Sequence, residues 1–249
     1  MNQDRYSRQV LLKEIGIDGQ RKLSEASAVV MGCGALGTHS SSLLARAGVG
    51  EVTILDRDVV DITNLQRQTL FGEDAVGQPK AEVAERQLRQ VNSEIAIRGV
   101  VVDVTPENVE GLLSGADVVV DATDNMKARF VINDACVKLG VPWVYGGAVG
   151  TSGMVLAVHP EGPCLRCVFP TLPPREATPT CDEVGIVNTL PSVVASIEVT
   201  EALKVLLGER TTPELMIVDV WSGDLDKIRV AKNKSCVTCA RHEFYRFDG

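Results

Sequence analysis

This sequence of 249 residues lacks long hydrophobic runs and any excess of positive charge. No apolar stretch approaches the ~18 residues of a membrane-spanning helix, so we expect no such helix. Residues 1–8 are polar and lack the apolar segment of a secretory signal, and we therefore predict a cytoplasmic protein. The net charge of −8 disfavours non-specific binding to nucleic acids and membranes, so we expect neither as a partner.

Histidines are also scarce, and His39, His159 and His242 form no cluster along the chain. We therefore expect no histidine-based catalytic triad. Cysteines, in contrast, number seven, and four of them form two Cys-x-x-Cys pairs. In a chain without a signal peptide, this spacing indicates metal binding before disulfide formation.

Apolar segments alternate with helical ones over the first half of the chain. This alternation predicts a doubly wound, Rossmann-like α/β fold with a mostly parallel sheet. Strands are predicted at 28–31, 52–56, 95–104, 117–121 and 143–147. Helices are predicted at 5–26 (one or two), from the glycine-rich loop to residue 48, and at 79–91, 107–113, 127–139 and 188–207. Segments 215–221 and 225–231 are predicted to add an antiparallel hairpin.

We expect a single domain over residues 1–249, which divides into four parts. These are N-terminal helices (1–26), a nucleotide-binding core (27–158), a proline-rich crossover loop (159–187), and a final helix, hairpin and second cysteine pair (188–249). Six of the eleven prolines fall between residues 160 and 179, which predicts a long irregular loop there. Loops of this length are usually functional.

A glycine-rich loop, Gly32-Cys33-Gly34-Ala35-Leu36-Gly37, follows the first predicted strand and opens a helix. Backbone N–H groups at such a helix N-terminus favour phosphate. Asp56 ends the next predicted strand, where a carboxylate can accept hydrogen bonds from both ribose hydroxyls. Loop and carboxylate together predict a nucleotide site, and they do not distinguish NAD from ATP.

Three charged residues further along are candidates for the same site. Arg67, taken alone, is more typical of a solvated surface. Lys80 lies in the first turn of a predicted helix, against the helix dipole, which indicates either an anionic ligand or a freely solvated side chain. Asp124 follows an apolar strand, at the sheet edge where open α/β sheets bind ligands, and it suits a metal ion bound to phosphates. Asp121 can instead cap the turn after that strand.

The two cysteine pairs are Cys164-Leu-Arg-Cys167 and Cys236-Val-Thr-Cys239. Four thiolates in this arrangement predict a closed, tetrahedral structural zinc site. Rubredoxin-like iron and a redox disulfide are the alternatives, and the disulfide is disfavoured because two pairs fit a metal better. The metal would tie the proline-rich loop to the segment after the last strand.

The other three cysteines differ in their surroundings. Cys33 and Cys136 are predicted to be small core residues. Cys181 follows the proline-rich loop, where an exposed thiolate can act as a nucleophile. The neighbouring carboxylates of Asp182 and Glu183 disfavour that thiolate, so the residues alone favour an inert side chain.

Taken together and in this order, the motifs resemble the ThiF/MoeB/HesA family of ubiquitin-activating-enzyme-like adenylyltransferases. The resemblance runs from Arg5-Tyr6-Ser7-Arg8-Gln9 to Cys239. Between these ends it includes the glycine-rich loop, Asp56-x-Asp58, Asn-Leu-Gln-Arg-Gln, Gly-Gln-Pro-Lys, Ala-Thr-Asp-Asn and both cysteine pairs. It implies ATP-dependent adenylation of the C-terminal Gly-Gly carboxylate of a ubiquitin-like sulfur-carrier protein. A sulfur-donor protein or sulfide would then convert the adenylate to a thiocarboxylate, in molybdopterin, thiamine or tRNA-thiolation pathways.

The resemblance also implies a role for each matching residue. Asp124 would bind Mg²⁺, and Arg8 would reach the γ-phosphate of the partner's ATP across a homodimer interface. Cys181 would take up the activated carbonyl or a sulfur. The implied nucleotide site comprises Gly32, Gly34, Ala35, Gly37, Asp56, Asp58, Asn64, Gln66, Arg67, Lys80, Asp124 and Asn125. The implied zinc ligands are Cys164, Cys167, Cys236 and Cys239.

Three other functions remain open. An NAD-dependent oxidoreductase explains the glycine-rich loop and Asp56 but leaves Arg67, Lys80 and the cysteine pairs unexplained. A non-catalytic scaffold for a ubiquitin-like protein is disfavoured because Arg67 and Asp124 are both present. A same-family enzyme acting on a modified tRNA base is weakly opposed by the negative net charge. Few residues follow the second cysteine pair, so we expect no rhodanese domain and an external source of sulfur.

Overall fold

A computed structural model of the chain describes residues 4–174, 181–209 and 211–245. Its eight strands form one sheet. They are β1 (Ser27–Met31), β2 (Glu51–Asp56), β3 (Ala96–Val101), β4 (Val118–Asp121), β5 (Trp143–Val149), β6 (Ser152–Val158), β7 (Glu214–Asp219) and β8 (Asp224–Arg229). The strand order in the sheet is β3-β2-β1-β4-β5-β6-β7-β8.

Helices cover both faces of this sheet. They are α1 (Gly16–Glu25), α2 (Ala35–Ala47), α3 (Lys80–Val91), α4 (Val109–Leu113), α5 (Met126–Leu139), α6 (Leu165–Val168), α7 (Cys181–Val184) and α8 (Leu190–Leu207). Across the described ranges, no helix combines the length and the apolar character that crossing a bilayer would require.

The core forms two apolar layers, one on each face of the sheet. Every residue of β4 is buried, as a strand covered on both faces requires. Leu44 of α2 and Leu88 of α3 belong to one layer, and Leu113 of α4 and Phe130 of α5 belong to the other. The two layers confirm the predicted doubly wound architecture.

The topology places a ligand crevice between β1 and β4. The five strands from β3 to β5 pair in parallel, and β6, β7 and β8 continue the sheet in antiparallel order. After β1 the chain moves outward through β2 and β3, and β4 then returns to the other side of β1. The loops that follow β1 and β4 therefore diverge at this switch point, where open α/β sheets bind ligands.

Several predicted elements need correction. The sequence-based prediction misses β6, which pairs with β5 and β7 and makes the antiparallel extension one strand longer. Residues 159–187 are not wholly irregular, because α6 and α7 lie within them. Pro79 is the N-cap of α3 and precedes its first turn. Residues 4–15 form turns, and the first α-helix begins only at Gly16. Residues 175–180 of the predicted loop lie outside the described part of the chain.

Candidate nucleotide site and cysteine cluster

The glycine-rich loop passes closely under the end of β4. Gly32 adopts a φ of +98°, and a side-chain carbon there would lie 2.7 Å from the carbonyl oxygen of Ala122. A side-chain carbon at Gly37 would overlap the carbonyl oxygen of Gly32. Gly34 is the N-cap of α2, and Ala35 is its first residue. The loop therefore presents the N-terminus of a 13-residue helix to the crevice, which is a site suited to an anion.

Asp56 stands at the end of β2 and holds the loop in place. One of its carboxylate oxygens accepts a hydrogen bond from the N–H of Cys33 at 2.6 Å, and the other accepts one from the N–H of Asp58 at 2.7 Å. Each oxygen keeps a second lone pair, so ribose hydroxyls can still donate to it. Burial raises the pKa of the Asp56 carboxyl, and the two N–H groups and Lys80 oppose that rise.

Lys80 is buried, with 7% of its surface exposed, which excludes a freely solvated lysine. Its ammonium lies 3.5 Å from a carboxylate oxygen of Asp58, the side chain of which is itself more than half exposed. The same ammonium acts electrostatically on the Cys33 thiol and the Asp56 carboxyl. Lys80 is therefore a buried cation beside the glycine-rich loop. The carboxylate of Asp58, with which it pairs, is exposed to solvent.

The segment from Asn64 to Gln68 lies beside the same loop. Asn64 accepts a hydrogen bond from the N–H of Asp61 and so closes a capping box. Arg67 is half-buried and donates to the carbonyl of Thr63 at 3.0 Å. Gln66 is exposed. Gln68, in contrast, is buried and lies 3.9 Å from the position that a side-chain carbon at Gly34 would occupy.

The side-chain oxygen of Gln68 is a buried acceptor without a hydrogen-bond partner among the described residues. A buried acceptor of this kind is expensive to leave unpaired. The atom of this side chain that lies nearest the glycine-rich loop is its amide nitrogen. The sequence motif included Gln68 but gave no reason to choose it over Gln66.

The loop after β4 carries Asp124 and Asn125, both exposed. Asn125 caps α5 by accepting a hydrogen bond from the N–H of Ala128, and its amide donates to Asp124 at 3.3 Å. Asp121 caps the turn, as its position suggested, by accepting from the N–H and hydroxyl of Thr123. The exposed carboxylate of Asp124 thus lies on an anchored turn that follows β4.

Below this loop lies an ion pair that the sequence analysis did not single out. Arg129 lies 3.3 Å from the fully buried Asp121, and it donates to the carbonyl oxygens of Thr123 and Gly146 at 2.7 and 3.2 Å. Its guanidinium also lies over the ring of Tyr145, 5.1 Å from the centroid. The available signal was its place in the first turn of α5, against the helix dipole, the same signal that marked Lys80.

A second buried carboxyl lies next to this pair. Glu198 of α8 is fully buried and accepts a hydrogen bond from the hydroxyl of Ser40 at 2.7 Å. Burial raises the pKa of Glu198 well above its usual value, and nearby Asp121 raises it further. Its other oxygen packs against Gly146, where a side-chain carbon would come within 2.5 Å. The side chains of Asp121, Arg129 and Glu198 are therefore neighbouring buried polar groups behind the loop that follows β4.

Arg8 lies far from this crevice within its own chain. The neighbouring Gln9 donates to the carbonyl of Ala47, and Tyr6 packs against Gly48, both at the C-terminal end of α2. The glycine-rich loop is at the opposite end of that helix, about 20 Å away at 1.5 Å per residue. Arg8 itself is exposed, so it does not join the other site residues of the same chain.

The four cysteines of the two pairs come together, although they are distant in sequence. The Sγ atoms of Cys164, Cys167, Cys236 and Cys239 all lie within 4.8 Å of one another. Two of the separations, Cys164 to Cys236 and Cys167 to Cys239, are 3.6 and 3.5 Å. Tetrahedral zinc with Zn–S bonds of ~2.3 Å places its ligands about 3.8 Å apart. The cluster therefore fits a tetrahedral metal ion.

The remaining cysteines divide as predicted between the core and the loop. Cys33 and Cys136 are fully buried, and burial raises the pKa of both thiols. Cys181 is half-buried rather than exposed, and it is the first residue of α7. Its Sγ lies 3.5 Å from the carbonyl oxygen of Ala148, at the end of β5. The side chain of Asp182 lies outside the described structure.

These elements define an α/β protein with a candidate nucleotide site at the carboxyl edge of its parallel strands and a separate four-cysteine cluster. A model of the ThiF family matches residues 6–238, and the chain belongs to that family.

Two curated relatives and one solved structure show the same relationship. The chain is 47% identical to the sulfur carrier protein ThiS adenylyltransferase of Bacillus subtilis, over 96% of this chain and 72% of that protein. It is 41% identical to the sulfur carrier protein adenylyltransferase of Thermus thermophilus, over 95% of this chain and 90% of that protein. The crystal structure of Escherichia coli MccB with ATP superposes with a TM-score of 0.83 at 25% identity, over 96% of this chain and 75% of MccB.

These relatives confirm the expected enzyme class, an adenylyltransferase, and the expected fold. That crystal structure of MccB contains ATP.

Proposed function

We propose that this protein uses ATP to adenylate the C-terminal glycine carboxylate of a ubiquitin-like sulfur-carrier protein. The observation that carries the proposal is the buried Lys80 beside the glycine-rich loop. A cation there can stabilise negative charge on the phosphates as it develops, which adenylation requires and hydride transfer does not. The names of the Bacillus and Thermus relatives support the carrier protein as the substrate.

The reaction joins two anions, so the site must neutralise charge. A carboxylate oxygen of the carrier attacks the α-phosphorus of ATP, and the bond from that phosphorus to the bridging oxygen breaks. Pyrophosphate leaves with the electron pair, and an acyl-adenylate remains. Asp56 would hold the ribose, and Arg67 and Lys80 would stabilise the charge that moves to the leaving pyrophosphate. The enzyme otherwise acts by positioning both substrates.

We propose that Asp124 holds Mg²⁺ in this crevice. Its exposed carboxylate is anchored by Asn125 at the switch point and fits a cation that keeps most of its water and phosphate ligands. Bound Mg²⁺ would supply charge neutralisation for the phosphates. The four-cysteine cluster, by contrast, offers a closed set of thiolates, which suits a structural zinc ion rather than a catalytic one.

We also propose that the active form is a homodimer in which Arg8 serves the partner's site. The support is its position at the end of α2 remote from the glycine-rich loop of its own chain. An arginine held there can contact phosphates only if a second copy brings its crevice alongside.

After adenylation, sulfide attacks the carbonyl carbon of the acyl-adenylate, AMP leaves, and the carrier becomes a thiocarboxylate. A persulfide of a donor protein would attack in the same way and displace AMP, and a thiol would then reduce the resulting acyl disulfide to release the thiocarboxylate. Cys181 lies at the start of α7 beside the end of β5, where it would relay sulfur or take up the acyl group.

The test is exchange of labelled pyrophosphate into ATP in the presence of a carrier that ends in Gly-Gly. Wild-type protein should catalyse the exchange, and Asp124→Ala and Arg67→Ala should slow it by on the order of 10² or more. Arg21→Ala removes an exposed cation on α1 and serves as the control that should retain the wild-type rate. Exchange at the wild-type rate in both site variants, or none with any Gly-Gly carrier, would contradict the proposal.

A further inference from the structure

A single carboxylate, Asp134, lies between the two cysteine pairs. Asp134 occupies the middle of α5 and is fully buried. Its side chain pairs with Arg166 through two contacts of 3.2 Å, one to each carboxylate oxygen. It also accepts a hydrogen bond from the hydroxyl of Thr238 at 2.6 Å. The same group is thus bonded to two distant segments of the chain.

The two partners occupy corresponding positions in the two cysteine pairs. Arg166 is the second residue between Cys164 and Cys167, and Thr238 is the second residue between Cys236 and Cys239. One carboxylate therefore holds the centre of each Cys-x-x-Cys turn. This arrangement cross-links the turns even without a metal.

Further hydrogen bonds and a ring contact surround the Asp134 carboxylate and its partner Arg166. The neighbouring Asn133 accepts a hydrogen bond from the N–H of Leu165 at 2.9 Å, and its amide donates to Asp134 at 3.1 Å. The N–H of Tyr245 donates to Asp134 at 2.8 Å. The Arg166 guanidinium lies over the ring of Phe130, 4.3 Å from its centroid. The carboxylate is thus saturated with donors, as a buried charge requires.

We propose that Asp134 is a positioning residue for the metal. It fixes both Cys-x-x-Cys turns in the spacing that a tetrahedral ion needs, so the thiolates are preorganised as ligands. Groups that orient metal ligands from outside the coordination sphere affect metal affinity by about 10- to 100-fold when removed. This inference rests on the zinc site proposed above and not on the adenylation reaction.

The experiment measures zinc transfer from the folded protein to a coloured chelator, 4-(2-pyridylazo)resorcinol. Elemental analysis first establishes that the wild-type protein holds about one zinc per chain. Asp134→Asn keeps the side-chain shape but removes the charge and one acceptor oxygen. It should speed zinc transfer on the order of 10-fold or more. Thr238→Val removes one hydrogen bond only, so it should speed transfer by a smaller factor.

The matched control is Ile132→Ala, which opens a cavity at a fully buried position of the same helix. It should lower the melting temperature but leave zinc transfer near the wild-type rate. If Asp134→Asn does not fold, Thr238→Val provides the comparison. A wild-type transfer rate in Thr238→Val and in any folded Asp134→Asn would overturn the inference, as would equal acceleration in Ile132→Ala. Zinc-free wild-type protein would overturn the metal site itself, whatever the result for adenylation.

Discussion

At the residue scale, Glu198 should make stability depend on pH. Its buried carboxyl keeps its proton at pH values where an unfolded glutamate, with a pKa of about 4.3, has lost it. The folded state then binds more protons than the unfolded state. The contribution of Glu198 to the free energy of unfolding should therefore be greatest below the unfolded pKa and fall as pH rises towards the folded pKa.

Glu198→Gln keeps the shape of this side chain and cannot ionise. The variant should show a flatter decline in the free energy of unfolding as pH rises above the unfolded pKa of about 4.3, measured by urea denaturation. Glu25→Gln, an exposed change at the end of α1, should follow the wild-type curve. A decline in Glu198→Gln as steep as in the wild type would mean that Glu198 does not carry the effect.

Also at the residue scale, Cys181 separates the two stages of the proposed reaction. Adenylation needs ATP, a cation and basic side chains, but no thiol. Cys181→Ser should therefore retain pyrophosphate exchange while forming less thiocarboxylate with a protein sulfur donor, as measured by mass spectrometry. A high concentration of sulfide should restore the product, because sulfide attacks the adenylate directly. Loss of exchange would instead assign Cys181 a structural role, and full activity in both assays would make it a bystander.

At the scale of elements, the glycine-rich loop depends on the close approach of α2 to β1. Gly37→Ala would drive a methyl group against the Gly32 carbonyl, so the loop must shift or the helix must retreat. We expect the free energy of unfolding to fall by about 1–3 kcal/mol and ATP binding to weaken, as measured by denaturation and calorimetry. Gly111→Ala, in α4, meets no atom within 4 Å and should be neutral or slightly stabilising. Tight ATP binding by Gly37→Ala would show that this close approach is not needed.

The elements that could be predicted from sequence are those with a strong local signal. The strand before the glycine-rich loop, the helix after it and the hairpin β7–β8 each have apolar periodicity with turn residues at their ends. β6 carries a short continuous apolar run, Met154 to Val158, which by itself does not distinguish a strand from a segment of buried helix. Its strand conformation depends on pairing with β5 and β7, which only the folded chain provides.

The candidate site shows the same division between local and long-range signals. Motif positions such as Asp56 and Lys80 follow strand ends and helix starts, so their placement could be predicted. The roles of Glu198 and Asp134 depend on partners far away in sequence, such as Ser40 for Glu198 and Thr238 for Asp134. A single polar residue in a helix pattern does not reveal such a partner.

At the scale of the whole molecule, the position of Arg8 predicts shared active sites. Arg8→Ala and Asp124→Ala should each strongly slow pyrophosphate exchange as homodimers. Mixed and allowed to exchange subunits, they should recover part of the activity, because each mixed dimer contains one site with both residues intact. Mass spectrometry, or a label on one of the two variants, would verify that the subunits have exchanged. Mixed dimers without recovered activity would refute a shared site.

The hairpin of β7 and β8 has a consequence for how the molecule behaves at high concentration. Two apolar residues of β7 are paired across the hairpin with charged ones of β8, Met216 with Lys227 and Ile217 with Asp226. In the described chain, β8 is the outermost strand on that side, and all of its residues are exposed. Charged side chains on an outer strand discourage edge-to-edge pairing between molecules. The charged residues of β8 therefore disfavour addition of a second molecule's strand at this edge of the sheet.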